Sequence, residues 1–276
     1  MSVAKEFLMT QQDFDYIAKV VYEACGIVLG SHKKEMVYSR IARRIRALRL
    51  NDCAAYIAHL EGNKEAEFSN FINAITTNLT SFFRESHHFD FLTDTAIPQM
   101  KEWNKKDRRV RIWSAGCSTG EEPYSIAMTV AEHFKRPMWD LKILATDLDS
   151  NVLDTAKAGI YRSETVTGLN QKITKDWFLH DKNHDKCKVN NDLRSYIHFK
   201  RLNLLAKWPV KGPFDIIFCR NVVIYFDQET KDQLFMRYSK MLRKGGYLIL
   251  GHSESMNLKK QTQFKSLGKT IYQNLG

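Results

Sequence analysis

The sequence predicts an α/β protein with a mostly parallel sheet, preceded by an all-helical N-terminal part. Two patterns predict it. In the first hundred residues apolar side chains recur at three- and four-residue intervals, the period of an amphipathic helix, whereas from Arg109 short apolar runs alternate with helical stretches. That alternation is the rhythm of crossover units, which lay helices on both faces of a parallel sheet. Over residues 161–196 the rhythm lapses, which marks a small insertion.

In chain order, the periodicity predicts helices over 13–24, 33–50, 54–60 and 65–75, broken by Gly26, Gly30 and Gly62. The strands are RVRIWSAG, LKILATD, YIHFKRLN, FDIIFCRN and GYLILGHS, with helices starting near Glu122 and Ser150 and another near 228–242. FKSLGKTIYQN reads as a terminal antiparallel edge strand. Inside the insertion a short helix over 171–178 precedes HDKNHDKCKVNNDL, polar and turn-rich, where two or three short strands are expected. The domains expected are a helical part with its linker at 1–90, a sheet domain at 91–276, and the insertion within it at 161–196.

With 43% hydrophobic and 26% charged residues, the 276-residue chain has the composition of a soluble folded protein. It holds no apolar run of about 18 residues and no cleavable leader pattern, so neither a membrane span nor export is expected, and the cytoplasm is the compartment predicted. Cys25, Cys53, Cys117, Cys187 and Cys219 form no C-x-x-C pair, which argues against a disulfide framework and against a zinc site built on cysteine. The net charge of +11 is unevenly spread. Residues 1–90 carry eleven bases and eleven acids, yet residues 33–49 hold seven bases against the single acid Glu35. On a helix, Val37, Ile41, Ile45 and Leu48 share one face while Arg40, Arg43 and Arg46 step along another. Arg44 lies nearer the apolar edge, a structural position.

WSAGCSTGEEPYSIA, residues 113–127, has the shape of a strand, a small-residue turn and a helix start. In an open parallel sheet, ligands sit at the carboxyl ends of strands beside such a turn. A phosphate cradle would offer a Lys followed by Ser or Thr, or bare amides; here Glu121 and Glu122 would repel a phosphate. Acids at a helix start also simply stabilise the macrodipole. LKILATD ends at Asp147, where a carboxylate can accept ribose hydroxyls, although Asp147 or Asp149 could equally cap the next helix. A turn without a phosphate cradle, a Glu able to meet an ammonium and an Asp able to hold a ribose suit a cationic, phosphate-free nucleoside such as S-adenosylmethionine.

Three further stretches are TTNLTSFFRE (76–85), GPFDIIFCRNVVIYFD (212–227) and GYLILGHSES (246–255). With SAGCSTGEEPYSIA and ATDLD they closely resemble the chemotaxis receptor glutamate methyltransferases, the CheR family, in order along nearly the whole chain. The resemblance implies a Rossmann-like, adenosylmethionine-dependent methyltransferase sheet with a helical N-terminal domain and a small inserted antiparallel subdomain. It implies transfer of methyl to specific glutamates on cytoplasmic chemoreceptor helices, giving a methyl ester and S-adenosylhomocysteine. It places Asn78, Thr80 and Arg84 along the cofactor site from the linker side, with Gly116 in the turn that wraps it. Glu122 meets the methionine end, Asp147 the ribose, Asn203 and Leu204 the adenine, and Arg220 and Asn221 close the pocket. Arg84 and Tyr225 match the pair beside the reacting carboxylate, and Arg40, Arg43 and Arg46 the contacts to acidic receptor helices.

The chemistry agrees with these residue types. A glutamate is already ionised at neutral pH, with an ordinary pKa of about 4.3, so no general base is needed. Arg84 stays protonated and can only orient or balance charge. Gripping the attacking oxygen would weaken it as a nucleophile. Arg84 is therefore expected on the cofactor carboxylate or the spectator face of the substrate, with Tyr225 donating to the non-attacking oxygen. A methyltransferase for RNA or for another protein target, and an adaptor that keeps the cofactor only as a ligand, are the rival readings. The chain has no N-P-P-Y-like loop or catalytic Cys setting, and its intact Arg84, Glu122, Asp147 and Tyr225 argue against decay. The sequence gives no reason to expect nucleic acid, membrane insertion or a metal. FLHDKNHDKCKV lacks the glycine-rich turn with which some members hold a C-terminal receptor pentapeptide, so weak or absent tethering of that kind is expected.

Overall fold

Capping and apolar spacing set the helices of the first unit, in a computed structural model that describes residues 5–181 and 183–276. Thr10 and Asp13 form a capping box at the start of α1 (Gln11–Cys25), which ends at Gly26 in the left-handed conformation. α2 (Lys34–Leu48) follows, then α3 (Cys53–Gly62), capped by Asp52, and α4 (Lys64–Ile75). Their buried stripes, Phe14, Ile17 and Val21 with Val37, Ile41, Ile45, Tyr56 and Phe71, form a core of their own. Within it sits one carboxylate. Glu67 is almost fully buried and receives Arg44 Nε at 2.8 Å, Arg44 Nη2 at 2.6 Å and the Tyr56 hydroxyl at 2.9 Å. Arg44 is therefore structural. This compact unit comprises the residues up to Thr77 together with Tyr225–Asp227.

The second unit comprises Asn78–Ile224 and Gln228–Gly276, so the 78–90 stretch packs with the sheet domain. α5 (His87–Phe91) and α6 (Ile97–Trp103) are joined by a π-helical turn and lead into β1 (Arg109–Ala115). α7 (Glu121–Val130), β2 (Asp140–Asp147) and α8 (Ser150–Ala158) complete the first crossover. β3 (Ile160–Arg162), α9 (Gln171–Trp177), β4 (Phe178–Asp181), β5 (Lys186–Val189) and α10 (Asn191–Arg194) fill the insertion. The chain then runs through β6 (Ile197–Arg201), β7 (Phe214–Cys219), α11 (Gln228–Met241), β8 (Leu242–Leu250), β9 (Phe264–Gly268) and β10 (Ile271–Asn274).

The strands form a seven-stranded sheet in the order β6-β2-β1-β7-β8-β10-β9 and a three-stranded one in the order β3-β5-β4. The first five strands of the large sheet are parallel and β10 and β9 are antiparallel, while the small sheet is antiparallel throughout. The fold class expected from the sequence is the one observed. The C-terminal stretch, expected as one edge strand, is a hairpin instead. Gly268, Lys269 and Thr270 all take positive φ and turn the chain, so β10 lies inside the sheet and β9 forms its edge. β7 is buried at every residue, as a central parallel strand must be. Strand order reverses between β1 and β7, and the carboxyl ends of β2, β1 and β7 lie side by side there.

Burial would raise the Glu67 pKa, but the hydrogen bonds from Arg44, Tyr56 and Asn70 outweigh it and hold the carboxyl below its ordinary range. Its folded pKa lies below the unfolded one, so the stabilisation is complete above the unfolded value of about 4.3 and is lost as pH falls through the folded value. Glu67→Gln is expected to cost about 3 kcal/mol at pH 7, because it leaves Arg44 without its counter-charge. The gap between variant and parent should narrow in acid, which urea denaturation at pH 7 and pH 3 would measure.

Candidate active site

The turn after β1 is built from small residues because neighbouring side chains crowd it. Gly116 has φ +98°, and a Cβ there would overlap the Val222 side chain. Its N–H and that of Cys117 both donate to the Thr146 carbonyl, at 2.8 and 2.9 Å, which fastens the turn to the end of β2. Ser118, also left-handed, donates its N–H to Asp147 Oδ2 at 2.8 Å, and Asp149 N–H donates to the other oxygen at 3.0 Å. Burial raises the Asp147 pKa, and these backbone donors act against it. Asp149 caps α8 through Asn151 N–H, so the capping role falls to it and not to Asp147.

Glu121 and Glu122 are both buried at the start of α7, but they are held differently. Glu121 accepts from the Thr119 hydroxyl at 2.6 Å. Glu122 accepts from the Ser114 hydroxyl at 2.7 Å and from Arg220 Nη1 at 3.0 Å. Burial pushes the Glu122 pKa up while Arg220 and Ser114 pull it down. Arg220, with a side chain 2% exposed, follows the end of β7. Its other terminal nitrogen lies 3.4 Å from Glu85 and donates to the Arg84 carbonyl, while its Nε has no hydrogen-bond partner among the described residues. Glu85 also binds the His252 backbone N–H at 3.1 Å and the His252 ring at 2.8 Å. Burial would raise the Glu85 pKa, but His252 and Arg220 bring it down to about 2.

The residues read from the sequence gather around these strand ends. Asn78 donates to Asp149 Oδ2 at 2.7 Å, and its carbonyl accepts from the Ser118 hydroxyl. Thr80 follows half-buried in the same irregular segment, and Arg84 donates to the Leu79 carbonyl at 2.9 Å. Leu202 N–H donates to the Asp147 carbonyl, which brings Asn203 and the buried Leu204 beside the β2 end. Asn203 Oδ1 accepts from Leu205 N–H at 2.9 Å, closing a local turn. Asn221, left-handed with φ 58°, gives its N–H to Glu254.

Two residues beside the site, Glu254 and Glu85, were not read from the sequence, and Ser114 and Ser118 were read only as small members of the turn. Glu254 is buried and ties Asn221, Ile224 and Gly251 N–H groups to one carboxylate, and Glu85, Ser118 and Ser114 hold the other loops. Glu85 and Glu254 lie in the FFRE and GHSES stretches, so their presence was visible and their partners were not.

Tyr225 and the basic helix belong to the helical unit. Val28 N–H donates to the Tyr225 carbonyl at 2.9 Å, and Lys33 Nζ stands 5.3 Å from the centre of its ring. Arg40 is tied to the carbonyls of Ile75 and Thr76 and to the Thr77 hydroxyl, while Arg46 pairs with Glu6 at 2.8 Å. Arg43 is exposed and, among the described residues, has no ion-pair partner.

Residues 12–76 match the family model described as CheR methyltransferase, all-alpha domain, and residues 78–273 match that of CheR methyltransferase, SAM binding domain. A chemotaxis protein methyltransferase of Escherichia coli strain K12 is 41% identical over 276 residues, covering 99% of this chain and 94% of the relative. A chemotaxis protein methyltransferase 2 of Pseudomonas aeruginosa strain PAO1 is 42% identical, covering 97% and 95%. One from Salmonella typhimurium strain LT2 is 40% identical, covering 99% and 93%.

Gly116→Ala combines a left-handed backbone with overlap against Val222, and strain of this sort costs on the order of 1–3 kcal/mol. The variant is expected to melt lower and to lose most of its affinity for S-adenosylhomocysteine. Thermal denaturation and calorimetry would register both changes.

Proposed function

This chain belongs to the CheR methyltransferase family, and from that premise we propose that it esterifies glutamate side chains on the cytoplasmic helices of chemoreceptors. It is an S-adenosylmethionine-dependent methyltransferase of chemotaxis. The reading rests on one arrangement, the carboxylate of Asp147 at the end of β2 and that of Glu122 at the start of α7, on either side of a turn that offers no phosphate cradle. Arg220, the cation beside Glu122, is already taken up by Glu122 and Glu85, so an anionic phosphate would meet net negative charge.

That setting fits a sulfonium nucleoside. Asp147 would hold the ribose hydroxyls, Glu122 the ammonium, Asn78, Thr80 and Gly116 the turn side, Asn203 and Leu204 the base, and Arg220 and Asn221 the far wall. Adenosylmethionine supplies an electrophilic methyl group on a positively charged sulfur. The substrate carboxylate arrives ionised, and the protein's task is alignment and exclusion of water. Arg84 orients the cofactor carboxylate or the spectator side of the substrate, and Tyr225 donates to the oxygen that does not attack.

Tyr225 and the basic helix share one unit, which supports placing substrate docking and substrate orientation together. Arg43 is exposed and has no ion-pair partner among the described residues, Arg46 beside it is exposed and pairs with Glu6, and Arg40 also braces residues 75–77. Docking on acidic receptor helices through this face suits a protein of the cytoplasm, and no described helix is long and apolar enough to cross a membrane. In the β4–β5 turn Asp181 closes the chain on Asn183 and His184, in place of glycine, which favours little tethering by a receptor tail; Lys182 lies outside the described residues. The test of the whole reading is transfer of labelled methyl to receptor protein as a base-labile ester, with the sites mapped by mass spectrometry. Label appearing only in RNA, or stable to alkali, would contradict it.

Tyr225→Phe is expected to lower the transfer rate by about tenfold or more while leaving calorimetric affinity for S-adenosylhomocysteine within about twofold, the loss of one hydrogen bond to a charged group. Full turnover in that variant would remove the hydroxyl from the mechanism. Arg43→Glu should slow methylation and flatten its dependence on salt, since rim charges act on encounter. Titration of a C-terminal receptor pentapeptide into the same protein should give little heat.

A further inference from the structure

One fully buried atom is left facing a group that cannot satisfy it. His88 is 0% exposed, and its Nε2 lies 3.0 Å from the Lys269 carbonyl and 3.2 Å from the Thr270 hydroxyl oxygen. A carbonyl only accepts, and the Thr270 hydroxyl spends its own proton on carbonyl oxygens, so Nε2 carries the ring proton. The neutral ring then has a bare lone pair at Nδ1, which has no hydrogen-bond partner among the described residues. The charged atom facing it is Glu85 Oε2 at 3.5 Å, another lone pair. Nδ1 is left unsatisfied in a buried setting, where such a group is costly, while Glu85 Oε2 already accepts from the His252 backbone N–H.

A third ligand atom completes the cluster. One donor atom each from Glu85, His87 and His88 lies within 4.8 Å of the others. We propose that these three residues form a site for a divalent transition metal, zinc being the ion their chemistry suits best. Two imidazoles and a carboxylate are a recurrent zinc set, taken at about 2.0–2.1 Å, so a small inward shift of the side chains would close around the ion. The surroundings also match. A metal-binding histidine usually donates its second ring N–H to a backbone carbonyl, as His88 does to Lys269. His252, with a side chain 65% exposed, lies 2.8 Å from the outer oxygen of Glu85 and marks the side from which an ion enters. Arg220 opposes a cation here, but it is shared between Glu122 and Glu85, two negative charges against one positive, which leaves one negative charge for the metal. The site does not depend on the methyl-transfer reading.

Calorimetric titration of zinc chloride into the whole metal-free protein tests it, with visible absorption of the cobalt(II) form as the second readout. The expected result is one equivalent bound at micromolar affinity or tighter, with cobalt bands characteristic of low-coordinate nitrogen and oxygen ligation. His87→Ala, on a partly exposed side chain, should weaken binding by about tenfold or more, as should His88→Gln if it folds. His184→Ala, in the β4–β5 turn, should leave binding unchanged. Absence of stoichiometric binding, binding retained in His87→Ala, or binding lost in His184→Ala would each overturn the proposal.

Discussion

Everything at the strand ends depends on how Arg220 is kept in a nearly dry interior. Removing a guanidinium and two carboxylates from water costs several kcal/mol per ion, and only close, well-aligned pairing offsets it. The structure meets that requirement with Glu122 on one side and Glu85 on the other, and with the Arg84 carbonyl as a further acceptor. The pairing links three separate pieces of chain: the end of β7, the first turn of α7 and the segment ahead of α5. The left-handed residues Phe83 and Glu85 flank Arg84, so the backbone there is held in sparsely populated conformations by its surroundings.

From that arrangement follows a pocket with a particular electrical character. Its fixed charges are mostly consumed by one another, and in the proposed reading Asp147 and the remaining lone pairs of Glu122 would meet a ligand that brings positive charge and hydroxyl groups. No proton need be moved for an ionised glutamate to take a methyl group from sulfur, so the proposed reaction calls for no histidine base. The neighbouring histidines serve other ends. Burial, and then the Arg220 charge, push the His88 pKa down to about 4, so it is neutral under physiological conditions.

The sequence made the architecture legible because periodicity and turn residues are local. The four N-terminal helices and the strands β1, β2, β6 and β7 lie where apolar spacing put them. The hairpin of β9 and β10 escaped because Lys269 and Thr270 adopt a conformation their residue types rarely signal. Strand β8 starts at Leu242, earlier than the run from Gly246, since its register against β7 shifts between Phe214 and Ile216. At the site, Gly116 and Asp147 could be placed by their position after strands. The partners of Arg220, Glu85 and Glu254 could not, because an ion pair from Arg220 to Glu122 across 98 residues, or a backbone N–H of Asn221 given to Glu254 across 33, depends on tertiary placement that no local pattern encodes. The basic face of α2 was visible as charge, but only the structure separates Arg43, which has no ion-pair partner among the described residues, from Arg40 and Arg46, which are engaged within the unit.

In the proposed reading the ends of β2, β1 and β7 take a cationic adenosyl ligand between Asp147 and the Arg220–Glu122 pair. A crystal structure of the protein with S-adenosylhomocysteine measures this most directly. The account predicts ribose hydroxyls on Asp147, the amino-acid end against the turn at Gly116, and the Arg220–Glu122 pair intact. Density for the product elsewhere, with Gly116 and Asp147 touching nothing but protein and solvent, would contradict it.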